Sequence, residues 1–516
     1  MNSGHARVLF AQAGAALAVA ALIAGCGDNY RPVVTPVNST GPAAQPNANV
    51  VVISATSSTI PGVVTLIDYS GDTVMNETPI GPGPTTFTLD ALGSEGYTIN
   101  SDGTLSGFPV TTNLQAKYIS FSTLPLGTKT VNLTAPSGTL WAADLNGDVA
   151  DLFTGSPVAF KVAVPVATAG NPATMPVLIA GSSSSTGQRQ YVVSQNLPDA
   201  TGQMTCNTSP RTAPAGVVTP IENATDTTDP AIAVGRCPVY AVQSADSQRF
   251  FILNRGDDTV TVINSKNNTL DSCTPFLSQN GQLVHCHPTL PLSTASLTPL
   301  NAPVNCNITT NPTCGMGSIA GPVYAEFNQI LQQLIVANYD GGTISVIDVS
   351  LDEYGNDSST FGTTYTIPVG NTATPNPAAV TVLNDGTKAY TANQNDGAQN
   401  GTVTVINLST HTVEKTLSVL GHPRMIDNTQ NSEYAKIYVA SPDSPYVTII
   451  QSSPTVTDLV DTTVLVEGNV VDLRVASQTT GQSNSNYSSR VPGYGQPCNL
   501  PGAASLASLA ACQALP

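Results

Sequence analysis

The sequence predicts an all-β protein assembled from a repeated hairpin unit, and three observations lead there. Gly and Pro supply 42 and 39 of the 516 residues, while only 10% are charged, against roughly a quarter in an ordinary soluble domain. Short runs rich in Val, Ile and Thr alternate with Asn/Asp/Gly turns, the pattern of strands joined in hairpins. The unit also recurs, and a chain of this length with 41% hydrophobic residues has enough apolar surface for the copies to share a large core. With 17 Lys+Arg against 34 Asp+Glu, a formal net charge of −17 and no basic run, a nucleic-acid partner is excluded, because a phosphate backbone needs clustered cations.

Residues 1–7 are short and polar, and residues 8–23 form an almost uncharged Ala/Leu/Val stretch. That stretch is short for a membrane span and fits the apolar core of an export signal. Leu22-Ile23-Ala24-Gly25-Cys26 resembles the lipobox of bacterial lipoproteins. The resemblance implies a signal peptide over 1–25, acyl chains on Cys26, and a membrane-anchored protein in the bacterial cell envelope. Gly27, where an Asp would retain the chain at the inner membrane, implies the outer membrane, facing the periplasm or the cell surface. Residues 26–48 carry Pro32, Pro36, Pro42 and Pro46 without apolar periodicity and read as an extended tether, reaching up to ~60 Å at ~3 Å per residue.

The body is expected over residues 49–476. In its first half, candidate strand runs end near positions 54, 100, 144 and 181. In the second half the unit is clear: FFILNRGDDTVTVI at 250–263, LIVANYDGGTISVID at 334–348, AYTAN with GTVTVI at 389–406, and a weaker IYVAS with YVTII at 437–450. Each copy has an apolar run, a polar turn, and a strand in which Val or Ile alternates with Thr or Ser, so that one face can pack while the other presents hydroxyls. Asn384-Asp385-Gly386 closes a further strand pair just before the third copy.

Of the nine Cys, eight remain after Cys26, an even number that suits disulfides outside the cytoplasm. Spacing alone cannot fix their connectivity; the expected pairs join neighbours, Cys206 to Cys237, Cys273 to Cys286, Cys306 to Cys314 and Cys498 to Cys512, tying loops inserted between repeats. His285-Cys286-His287 is the alternative metal reading, weakened because adjacent strand residues point to opposite faces. Residues 477–516 form a Ser/Gly/Pro-rich tail with a short Ala/Leu helix expected over 503–515.

Tyr390-Thr391-Ala392-Asn393, the strand at 403–407 and the exit ending in Gly421-His422-Pro423 resemble the YVTN β-propeller repeats of bacterial surface and periplasmic proteins. The resemblance is good over about 250–450 and implies four-stranded blades around a channel, in the propeller lactonase-like superfamily. Eight strand-end anchors, at 54, 100, 144, 181, 254, 338, 393 and 441, fit eight blades, or seven if one marks the strand that closes the ring; seven is the expectation.

Chemistry is sparse. The P-loop, His-Glu-x-x-His and Gly-x-Ser-x-Gly patterns are absent and no cofactor is expected. Asp144, Asn146, Asp148 and Asp151 form the one calcium candidate, since carboxylates and amides are hard oxygen ligands, although a plain hairpin turn at Asn146-Gly147 explains the same residues. His422 stands where a repeat enters a blade, and Asp340, Asp385 and Asp396 are turn residues that only a folded ring could gather. The sequence therefore points to a lipid-anchored binding or scaffold propeller with a protein or carbohydrate ligand and membrane lipid as its anchor partner. The alternatives are a propeller lactonase-type hydrolase and a cell-surface adhesion or envelope-assembly component.

Overall fold

The structure is a computed structural model that describes residues 49–476, apart from 69, 137, 170–172, 183–188, 198–213, 280, 293–299, 302–319, 430–434 and 453–457. Eight antiparallel sheets of four or five strands are arranged as blades. Their inner strands are Asn469–Ala476, Pro84–Leu89, Thr130–Thr134, Pro176–Ser182, Pro238–Gln243, Pro322–Asn328, Pro377–Val382 and Met425–Asn428, for blades I to VIII. Each inner strand touches the next around the full circle, so the blades form a closed β-propeller. Blade I is composite: Asn49–Ala55, Pro61–Asp68 and Thr73–Pro82 from the start of the body pair with Asn469–Ala476 from its end. The expected seven blades are thus corrected to eight. The closing strand is none of the eight sequence anchors, so each blade keeps an anchor of its own.

Five inner strands begin with Pro, at 84, 176, 238, 322 and 377, and in each the pairing shifts register just after it. An inner strand has one open edge toward the channel, and the first residue of an edge strand is where a missing N–H is tolerated. The second strand of each blade runs from the opposite end and finishes at its anchor. Anchors 54, 100, 144, 254, 338, 393 and 441 fall at this place, but Gly181 lies inside an inner strand, and blade IV uses Ser194, paired with Val217. The first-half repeats had drifted too far in sequence to show which of two adjacent strands carried the anchor.

Asn at the anchor clasps the hairpin that follows it. Asn393 Nδ2 donates to Thr402 Oγ1 at 3.0 Å and Thr404 Oγ1 at 2.8 Å. Asn254 does the same to Thr259 and Thr261, Asn338 to Thr343 and Ser345, and Asn100 to Thr104 and Ser106. The Val/Thr alternation of the repeat now has its cause: Val403 and Val405 fill the apolar core while the hydroxyls accept the N–H groups of the buried amide. Gly421, at φ +69°, allows the exit from blade VII to lie against Ser441, Asp443 and Ser444; a Cβ there would come within 2.9 Å of all three.

The insertions sit on outer strands. That of blade V breaks off after Thr269–Leu270 and resumes at Thr289–Pro291. Between them the Cys273–Cys286 disulfide closes a loop holding a small hairpin, Phe276–Leu277 with Leu283–Val284. Cys286 is therefore oxidised, which removes the thiolate from the His285-Cys286-His287 metal reading. Cys237 is disulfide-bonded and buried; its expected partner Cys206 lies outside the described residues, as do Cys26, Cys306, Cys314, Cys498, Cys512 and the expected C-terminal helix. A single 3-10 turn, Ala116–Tyr118, is the one helical element among the described residues, and none is long and apolar enough to cross a membrane.

Candidate functional site

The residue after each anchor is where the repeat stops repeating. In blades IV to VII it is Gln195, Arg255, Tyr339 and Gln394, all essentially buried. One backbone device places the four alike: their N–H groups donate to the carbonyls of Met175, Cys237, Gly321 and Asn376, at 3.1, 3.0, 2.9 and 3.0 Å. Each acceptor immediately precedes the inner-strand Pro of its own blade. The four residues consequently form an arc at the end of the ring that holds the anchors.

Hydrogen bonds link the arc across blades. Arg255 Nε and Nη2 grip the Asp340 carboxylate at 3.1 and 2.8 Å, and its guanidinium lies 5.6 Å from the centroid of the Tyr339 ring. The Tyr339 hydroxyl donates to Gln394 Oε1 at 3.2 Å. Burial pushes this phenol well above its ordinary range even though Arg424 and Arg255 pull it down, so it stays protonated and a donor. Gln195 Nε2 donates to the Pro238 carbonyl at 2.9 Å, and Asn395 Nδ2 to Asn376 Oδ1 at 3.0 Å. After these bonds Arg255 Nη1, Gln195 Oε1 and Asn395 Oδ1 are buried without partners. Arg424 and Asp340 keep part of their surface in solvent, which opens the arc outward.

His422 lies at the same end, pinned by Asp443, which accepts its backbone N–H at 2.8 Å and its Nδ1. The bond to Asp443 raises the imidazole above its ordinary value against the effect of burial. Burial pushes Asp443 up, but the hydrogen bonds and charge of His422 outweigh it and hold the carboxylate low. His422 Nε2 is buried and unpartnered. Of the turn acids, Asp340 belongs to the arc. Asp396 accepts the Asn371 and Thr372 N–H groups and the Thr402 hydroxyl, and Asp385 accepts the Thr387 N–H at the other end of the ring.

The calcium candidates do not converge as one ligand set. Asp144 Oδ1 accepts from the Lys129 and Asn146 N–H groups, while Asp148 Oδ1 accepts from the Met175 N–H. Asp144 and Asp151 occupy clasp positions of blade III, and Asp151 is fully buried with both oxygens unpartnered. Burial and then the Asp144 charge push Asp151 up to about 7. Among the described residues no three His, Cys, Asp or Glu side chains gather around a metal position. The arc itself was missed in the sequence because each member looks unremarkable alone. The available signal was the position just after the strand-end Ser or Asn, occupied in turn by Gln, Arg, Tyr and Gln.

No protein-family model matches the sequence, and no curated protein matches it. Among solved structures the chain is similar to apo AztD from Citrobacter koseri, at 13% identity over 83% of this chain and 97% of that one, with a TM-score of 0.51. It is also similar to the dihydro-heme d1 dehydrogenase NirN in complex with DHE, at 13% identity over 84% and 78%, TM-score 0.53. A putative 6-phosphogluconolactonase from Bacteroides fragilis aligns at 14% identity over 84% and 99%, with a TM-score of 0.48. At these identities the likeness is one of fold, a β-propeller.

Proposed function

We propose that this chain is an extracytoplasmic propeller, tethered to the bacterial envelope through acyl chains on Cys26, that binds a small anionic ligand at the mouth formed by blades IV to VIII. The ligand half is carried by Arg255, whose guanidinium is buried while Nη1 has no acceptor. Leaving a buried donor unpaired costs about 1–3 kcal/mol, and more for a charged group, so this mouth suits an acceptor brought from outside. Arg424, whose charge reaches the Tyr339 phenol, adds a second cation there, on a chain whose net charge is −17. Gln195 Oε1 and Asn395 Oδ1 are spare acceptors, which favours a ligand that carries hydroxyl donors as well as a carboxylate. The anchor half rests on the Leu22-Ile23-Ala24-Gly25-Cys26 run and the Pro-bearing tether.

One observation favours a hydrolytic second reading: the Asp443-held imidazole of His422 presents a free Nε2 that, once deprotonated, can take a proton from water. A mouth suited to a hydroxycarboxylate also suits the product of opening a lactone. Both readings meet one experiment, in which the full chain is assayed on aldono- and acyl-homoserine lactones with calcium and with chelator, while its melting temperature is followed with the matching hydroxycarboxylates. Melting shifts without turnover support the binding reading; turnover abolished by His422→Gln supports the hydrolase. Neither shift nor turnover across the panel sinks both.

A further inference from the structure

The end of the ring opposite the arc has its own character. Asn49 opens the second strand of blade I and Ala476 ends the inner strand, and the two are paired, so the described chain enters and leaves at one point of that end. A Cβ on Gly93, in the blade II turn, would lie 3.2 Å from the Ala476 Cα, and the preceding residue, Leu92, is 68% exposed. Across the ring Ile330 and Leu331, in the corresponding turn of blade VI, are exposed, as is Tyr354 in the insertion between that blade's third and fourth strands.

The blade V hairpin is rooted at the same end and is braced there. Asp271 and His287 flank the Cys273–Cys286 disulfide on either side, and both roots meet Arg249, the first residue of the second strand of blade V, and Asp357 of the blade VI insertion. Arg249 Nη2 lies 2.9 Å from Asp357 Oδ1 and 3.4 Å from Asp271 Oδ1. His287 Nδ1 lies 2.7 Å from Asp357 Oδ2, and the ring stacks on Phe361. The blade VI insertion is joined in turn to the Ile330 turn, through the Leu351 N–H and Gln332 Oε1 at 3.3 Å. Two insertions and a blade turn thus form one cross-braced ledge, with Leu277 and Leu283 on its hairpin 70% and 57% exposed. Buried ions and a disulfide hold firm a surface that then shows large apolar side chains to solvent.

We infer that this end of the propeller seats on a lipid surface, with the ledge and Leu92 entering the headgroup layer and the arc facing away from the membrane. The inference rests on the anchor reading, because the occupant is identified by what joins the body at Asn49: the 48 preceding residues, with their uncharged stretch and Cys26. Acyl chains at Cys26 would keep a bilayer within reach of the body, and the apolar side chains at this end would add to the binding as they leave water.

The lone tryptophan, Trp141, is buried and gives a constant background for reporters. Leu92→Trp and Leu331→Trp report the proposed face, and Leu126→Trp and Leu420→Trp, exposed on connections at the arc end, report the other. Each full-length variant is placed in vesicles of brominated phosphatidylcholine and phosphatidylethanolamine, with and without Cys26→Ser, and acylation is read by mass. The expected result is at least about a twofold loss of added emission at positions 92 and 331 and none at 126 and 420. Quenching at neither pair, or at 126 and 420, in an acylated, vesicle-bound chain overturns the proposal. If Cys26 carries no acyl group the anchor reading fails, and quenching at 92 and 331 on mixing with vesicles still decides for the face, its absence against it.

Discussion

At the scale of single residues the fold depends on an amide at a strand end. Asn393 is fully buried and holds two hydroxyls of the next strand. Asn393→Ala leaves Thr402 and Thr404 without that donor and removes packing, an expected loss of about 2 kcal/mol, measurable as a lower urea midpoint at unchanged slope. Blade III shows the opposite case, with two carboxyls where blades II, V, VI and VII hold amide and hydroxyls. Asp151 titrates near 4 when unfolded and is pushed up to about 7 in the fold. Between those values the folded chain holds the extra proton, so this residue makes stability fall as pH rises from 4 to 7 and stay level above, by roughly 3–4 kcal/mol in all. Asp151→Asn is expected to flatten that slope and to raise the urea midpoint at pH 8; an unchanged slope in the variant would show that the pH dependence arises elsewhere.

At the scale of elements, blade IV has Ser194 where blades II, V, VI and VII have Asn, and the hydroxyls of Ser194 and Thr219 are buried without partners. Ser194→Asn should rebuild the clasp onto Thr219 and raise the melting temperature by a few degrees, as about 1 kcal/mol does in a chain of this size. The braced insertions make a sharper case. Removing one partner from a buried ion cluster leaves the others uncompensated, typically at about 3–5 kcal/mol. Asp357→Ala should therefore destabilise far more than a charge change on the surface, and protease should cut the 271–288 segment earlier than in the parent chain. The element level was also where the sequence was most readable. The second-half hairpins, the Asn384-Asp385-Gly386 turn and the Cys273–Cys286 pair follow from local chemistry, namely alternation, turn residues and neighbouring cysteines. The anchor of blade IV did not, because Gly181 and Ser194 each end a run of apolar residues and only pairing tells the strands apart.

At the scale of the molecule, closure and site both depend on contacts between residues far apart in the chain. Asn49–Ala55 meets Asn469–Ala476, a pairing that no local pattern announces, and this is why eight anchors could be read as seven blades. Ending the chain before Asn469 would strip blade I of its inner strand and expose Val51 and Ile53 at an open edge, so that variant is expected to aggregate rather than fold as a smaller ring. The arc has the same origin: Gln195, Arg255, Tyr339 and Gln394 span 200 residues of sequence, and only the ring's symmetry makes them neighbours. His422 was readable as a blade-entry residue, whereas its Asp443 partner was not, since the two loops meet only when the first two strands of blade VIII pair. The most direct test is calorimetric titration of the full chain, and of its Arg255→Met and Arg424→Gln variants, with gluconate, citrate and glutamate. The account predicts that at least one of these carboxylates binds, with affinity falling tenfold or more in folded Arg255→Met and by less in Arg424→Gln. Binding that is equal in the parent chain and Arg255→Met, or no binding by any of the three, would contradict it.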